Sequence, residues 1–186
     1  IRLISGSSPF CETFFDYSRA ENDYRIGEEG KGWAIAKYLL THEREMISGF
    51  GASSGPSLGK KALETVGMDA DGRLDNSALR HSIAQYQLDA RCFAATMARV
   101  GDEVKAGQGL GAASSIFKYY GTELNKRRNE LNLAVAGESA LGWEGQVYCD
   151  GEMARSWLRS KGNSIEGGTS EVQLNIVAKR VLGLPD

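Results

Sequence analysis

From Gly32 onward the apolar positions of this chain recur at helical spacing. Trp33, Ala36, Leu40, Glu43, Ile47 and Phe50 alternate by three and four, which predicts a helix with one stripe turned to a core. Glu43 is the anomaly, a carboxylate in an otherwise apolar row. Gly49, Gly51, Gly55 and Pro56 weaken or kink the helix before Leu58 to Val66 resumes it. Met68 to Arg73 reads as a polar turn, after which Asp75 or Asn76 can cap the next helix. There Leu79, Ile83, Tyr86, Ala90, Phe93, Met97, Val100 and Val104 form an unbroken heptad seam. Beyond Gly107-Gln108-Gly109 a third long helix carries Leu110, Ala113, Phe117, Tyr120, Leu124, Arg127, Leu131 and Ala134 in the same phase, with Arg127 its one charge. Gly137 to Gly151 reads as a loop or broken turn, Glu152 to Arg159 as a short helix and Thr169 to Leu182 as a terminal helix. The pattern predicts a mainly α protein built as an antiparallel helical bundle.

The first thirty residues differ. Ile1 to Ile4, a Gly/Ser/Pro turn at Gly6 to Pro9, and Phe10 to Tyr17 predict two short strands. Two strands do not stand alone, so they read as the edge of a sheet whose remainder lies elsewhere. This places a boundary near Glu28 to Lys31, with a strand remnant over 1–30 and the bundle over 31–186. The chain starts at Ile1 rather than Met, and is read as a fragment or a single domain of something longer.

Composition narrows the class. The 186 residues are 41% hydrophobic, enough for one good core. A net charge of −2 argues against a nucleic-acid binder, which needs a basic face. Cys11, Cys92 and Cys149 are widely spaced, and His42 and His81 fit no ligand pattern, so no metal site is expected. Free cysteines suggest a reducing, cytoplasmic compartment. No apolar run approaches the roughly 20 residues that span a bilayer, and no membrane association is expected. Trp143 and Trp157 read as packing residues, and Lys126-Arg127-Arg128 as a solvated helix face.

The candidate chemistry lies near the C-terminus, in Ser164-Ile165-Glu166-Gly167-Gly168-Thr169-Ser170-Glu171-Val172-Gln173. Paired glycines let backbone approach a ligand closely, and a helix beginning at Thr169 offers free N–H groups suited to an anion. With the helix that follows, ending Ala178-Lys179-Arg180-Val181-Leu182-Gly183-Leu184-Pro185, this stretch resembles the C-terminal signature of the acyl-CoA dehydrogenases. Ile26-Gly27-Glu28-Glu29-Gly30-Lys31-Gly32-Trp33 resembles that family's join between its middle β domain and its C-terminal helical domain. The resemblance implies an FAD-dependent α,β-desaturation of an acyl-CoA thioester to a trans-2-enoyl-CoA, as in fatty-acid β-oxidation. It further implies an electron-transfer flavoprotein as acceptor and a homo- or hetero-tetramer. Gly167, Gly168, Thr169 and Glu171 would line the flavin and its nucleotide portion.

Removing a proton beside a thioester carbonyl needs a carboxylate that is ionised at neutral pH and desolvated by substrate. Two candidates qualify. Glu43 is marked by periodicity, its bland alternative being a carboxylate paired with Arg127 or Arg44; Glu166 is marked by motif, its alternative being a loop carboxylate beside a helix N-terminus. Family members take the base either from a Glu one glycine before the loop Thr or from a Glu on the first helix of this domain. Glu166 is two glycines from Thr169, whereas Glu43-Arg44 matches the second pattern, so Glu43 ranks first. Two family features are missing. Asp71-Gly72-Arg73-Leu74 stands where an Arg-x-x-Phe-Gly stretch contributes to FAD binding across subunits, and Leu141-Gly142-Trp143-Glu144-Gly145 replaces a Phe-Gly-Gly-x-Gly-Tyr loop. The departures keep a rival open, a non-catalytic oligomerisation domain or a subunit of a heteromeric flavoprotein.

Overall fold

The computed structural model describes residues 1–48, 57–109, 111 and 113–185. Among these, six α-helices form: α1 (Gly32–Ser48), α2 (Leu58–Val66), α3 (Ser77–Lys105), α4 (Ala113–Ala136), α5 (Glu152–Gly162) and α6 (Ser170–Arg180). Short 3-10 turns at Asn22–Tyr24, Gly137–Ala140 and Gln146–Gly151 complete the regular structure. The glycines and Pro56 expected to break the first helix lie outside the described residues, as do Phe50, Leu110 and the side chain of Ile47.

Local chemistry sets the boundaries. Asn76, rather than Asp75, caps α3, its side-chain oxygen accepting from the Leu79 N–H at 2.9 Å. Asp69 organises the preceding turn by accepting from the N–H groups of Asp71 and Arg73 at 3.0 and 2.8 Å. In the Gly137 to Gly151 stretch, Cys149 and Asp150 adopt left-handed backbone at φ 47° and 50°, and helix resumes only at Glu152.

The core follows the two long seams. Leu79, Ile83, Tyr86, Phe93 and Val100 of α3 are buried against Phe117, Leu124 and Leu131 of α4, with Leu58 and Ala62 of α2 in the same cluster. Phe93 meets Phe117 edge-on, with ring centroids 5.9 Å apart. Val104, at the end of the α3 seam, is exposed, as is Arg127.

Helix α4 packs against each of the other five helices, and this gives it a second buried side. Ser115, Lys118, Thr122, Asn125, Asn129 and Asn132 repeat at 3, 4, 3, 4, 3. The first three are fully enclosed and the asparagines half-buried. Binary patterning hides this seam because its residues are polar.

The first thirty residues form no strand among the described residues. The turn at Gly6 is present, the Leu3 N–H donating to the Ser7 carbonyl and the Gly6 N–H to the Leu3 carbonyl. Ile1 to Ile4 and Phe10 to Tyr17 nevertheless run as irregular backbone. A strand exists only as part of a ladder, and the single contact between the two segments, from the Ile1 ammonium to the Phe10 carbonyl at 2.8 Å, does not make one. On α1, Ala36 and Leu40 of the expected seam are partly buried, but Trp33 is 70% exposed because no described element covers it.

Two-sided burial of α4 makes a direct forecast. Leu124→Ala should cost about 2–5 kcal/mol of unfolding free energy in urea titration. Arg127→Ala, which removes only an exposed ion pair with Asp89, should cost less than about 1 kcal/mol. Equal losses would contradict this packing.

Candidate functional site

The site is built around a lysine that periodicity alone does not reveal. Lys118 sits on the second seam of α4 with 0% exposure. Its ammonium donates to the Gly168 carbonyl at 2.6 Å and the Ser164 carbonyl at 3.2 Å. Loss of water pulls its pKa below the ordinary lysine value, opposed chiefly by the Glu166 carboxylate.

Gln173, on the first turns of α6, is equally enclosed, and its side-chain Nε2 donates to the Gly167 carbonyl at 3.0 Å. The loop between α5 and α6 is thereby held from behind at consecutive carbonyls. Gly167 and Gly168 have φ of +61° and +97°, and a Cβ at Gly168 would lie 2.6 Å from the Gln173 amide nitrogen. Both positions favour glycine, Gly168 the more strongly because a side chain there would also meet Gln173.

Thr169 caps α6 by accepting from the Val172 N–H at 3.3 Å. The Ser170 N–H donates to the Ser164 carbonyl at 3.0 Å, closing the loop on itself. Glu171 is held below the usual carboxylate range, first by its own backbone N–H and then by the Thr169 hydroxyl. No described acceptor takes the N–H of Gly168 or of Thr169, so the loop presents two adjacent free donors beside a helix N-terminus.

Glu166 has a different setting from the expected exposed loop carboxylate. One oxygen pairs with the Arg159 guanidinium at 2.8 Å and the other accepts from the Asn163 amide at 3.1 Å. Asn163 in turn accepts from Asn125, which accepts from Asn129, so a chain of amides runs from α4 to the carboxylate. Arg159, Asn163, Asn125 and Asn129 border a polar cleft of about 450 Å³, beside the N-terminal turn that supplies Ser5 and Ser7. Arg155 closes its edge, donating to the carbonyls of Ser5, Trp143 and Asp150 while lying 3.8 Å over the Trp143 ring.

Glu43 stands apart. It lies half-buried on α1, which packs on α4, and forms no described hydrogen bond or ion pair with the loop cluster. The Arg127 pairing weighed for it does not form, because Arg127 reaches across to Asp89 of α3 instead. The structure thus gathers Glu166, Gly167, Gly168, Thr169 and Glu171 around Lys118 and leaves Glu43 on a separate helix. Lys118, Gln173, Asn125 and Asn163 are the residues that the motif reading missed. For Lys118 and Asn125 the available signal was the polar 3,4 spacing of Ser115, Lys118, Thr122, Asn125 and Asn129, which marks a second seam without saying that it is buried; Asn163 and Gln173 carry no such signal.

Residues 30–182 match the family model described as "Acyl-CoA dehydrogenase, C-terminal domain". The chain belongs to the acyl-CoA dehydrogenase family. It is 30% identical over 190 residues to the acyl-CoA dehydrogenase IpdE1 of Mycolicibacterium smegmatis, a match that takes in 100% of this chain and 45% of that protein. This acyl-CoA dehydrogenase domain also superposes on a subunit in the ChsE4-ChsE5 complex of Mycobacterium tuberculosis, with TM-score 0.58 and 27% identity over 87% of this chain and 42% of that one. A crystal structure titled an FAD-dependent dehydrogenase shares the fold at TM-score 0.70 and 21% identity, covering 89% of this chain and 44% of that one. The chain therefore spans less than half the length of these relatives. Its helical bundle is the fold they share.

The cap geometry makes a titration prediction. Because the folded-state pKa of Glu171 is depressed, its contribution to stability is present above the ordinary value of 4.5 and is lost as pH falls through the lowered one. Carboxyl-detected NMR should place its midpoint below 4.5, and Thr169→Val should move that midpoint back upward. A midpoint unaffected by Thr169→Val would show that the threonine hydroxyl does not hold the carboxylate.

Proposed function

We propose that this chain is the C-terminal domain, with the end of a middle β domain over residues 1–30, of an FAD-dependent acyl-CoA dehydrogenase. In this reading the whole protein desaturates an acyl-CoA thioester to a trans-2-enoyl-CoA in the cytoplasm and passes electrons to an electron-transfer flavoprotein. The observation that carries it is the loop itself, where the free N–H groups of Gly168 and Thr169, at the end of a left-handed glycine pair, meet a capped helix N-terminus. Such a cradle fits the anionic and carbonyl-rich edges of a flavin nucleotide. Gly167, Gly168, Thr169 and Glu171 would hold it. When bound, FAD supplies the acceptor for the substrate's β-hydride.

Within the chain, Glu43 is the proposed base for the α-proton. The division of labour between the two carboxylates supports this. Both oxygens of Glu166 are already engaged, one by Arg159 and the other by Asn163, so neither is without a protein partner. Glu43 makes no such pair among the described residues and sits on the helix where one branch of the family carries its base.

A second reading has its own support. The Arg-x-x-Phe-Gly and Phe-Gly-Gly-x-Gly-Tyr features are missing from the sequence, and the Tyr148 ring packs on Gly142 so closely that a Cβ there would fall 2.0 Å from it. A neighbour of this fold is a two-protein complex, ChsE4-ChsE5. This chain would then be one subunit of a heteromeric flavoprotein, a tetramer whose second subunit supplies the missing cofactor contacts or the base.

Flavin bleaching of the whole protein by a panel of acyl-CoAs separates the two readings. Glu43→Gln should slow bleaching by about 10²–10⁴-fold, while Glu166→Gln should bleach at near the wild-type rate once saturated with FAD. Undiminished bleaching in Glu43→Gln would move the base to another subunit.

A further inference from the structure

The deepest buried charge in the molecule lies one layer behind the glycine loop. In a trans peptide the carbonyl of one residue and the N–H of the next point in opposite directions, and no described peptide bond here is cis. Gln173 holds the Gly167 carbonyl inward, so the Gly168 N–H must face outward. Lys118 holds the Gly168 carbonyl inward, so the Thr169 N–H faces outward as well. The two free donors of the cradle thus owe their direction to two side chains that lie behind the loop and are fully enclosed.

Resting on the flavoprotein reading above, we propose that Lys118 and Gln173 are the positioning residues of the cofactor loop. They aim the Gly168 and Thr169 N–H groups at the flavin nucleotide without touching it. The glycine pair makes this control necessary. With φ of +61° and +97° on successive residues, the loop has conformational freedom that Thr169 alone, fixing only the helix end, does not remove. Lys118 also bridges the Ser164 carbonyl to that of Gly168, spanning the loop from its start to its last glycine. A methionine of similar length fills the volume but cannot donate. An arginine keeps the charge and the donors.

The test uses the whole protein with any partner subunit. FAD affinity and the fine structure of the flavin visible spectrum are measured for wild type, Lys118→Met, Lys118→Arg and Gln173→Leu, with far-UV circular dichroism and size-exclusion chromatography to establish folding. The expected result is a rise in the Kd for FAD of about tenfold to a hundredfold in Lys118→Met, the scale of one lost charge-assisted contact. An altered flavin spectrum and partial recovery in Lys118→Arg should accompany it. Gln173→Leu should shift both readouts in the same direction, and it decides the matter if Lys118→Met does not fold. Folded Lys118→Met, or folded Gln173→Leu in its stead, with wild-type Kd and spectrum overturns the positioning role and leaves the flavoprotein reading intact. A wild-type protein that takes up no FAD sinks that reading and this one together.

Discussion

An ammonium group shut away from water needs acceptors, and among the described residues Lys118 finds them in the loop between α5 and α6. Removing the partner of a buried charge costs about 3–5 kcal/mol, so α4 has a reason to keep that loop against it. The consequence runs in both directions. The loop carbonyls satisfy the lysine, and the lysine forces them inward, which leaves the opposite edges of the same peptides free. Stability and site geometry are set by one interaction.

The polar seam extends this logic along α4. Ser115 and Thr122 are buried on the same seam as Lys118, and α5 and α6 both pack on this helix. The asparagines below them pass hydrogen bonds through Asn163 to Glu166, so the carboxylate immediately ahead of the glycine pair is fastened as well. A loop with two left-handed glycines is stiffened by its surroundings rather than by its own sequence. This is how a segment with positive φ stays in one conformation.

Glu166 and Glu43 illustrate why a motif and a mechanism need separate arguments. Glu166 stands in the signature, yet its oxygens serve Arg159 and Asn163. Glu43 stands outside the signature, on a helix whose other named seam residues are apolar. Membership of the acyl-CoA dehydrogenase family follows from the match over residues 30–182. The proposed assignment of roles rests on a separate observation, that Glu166 is paired while Glu43 makes no pair among the described residues.

The helices were legible in the sequence because each long one has an apolar stripe at a 3,4 spacing, and that spacing survives in the buried Leu79, Ile83, Tyr86, Phe93 and Val100 of α3. The glycine loop and the cap at Thr169 were legible too, since glycine pairs and threonine caps are local chemistry. Local chemistry ends where burial begins. That Lys118 is enclosed while Arg127, on the same helix, is exposed depends on how many helices surround α4. No hydropathy pattern reports that number. The two expected strands failed for the same reason in reverse, because a strand needs a ladder of partner backbone and the first thirty residues form none among the described residues. Sequence determined which segments coil and where the loop bends. Tertiary structure decided which charges are buried, which carbonyls they hold and which N–H groups are left to meet a ligand.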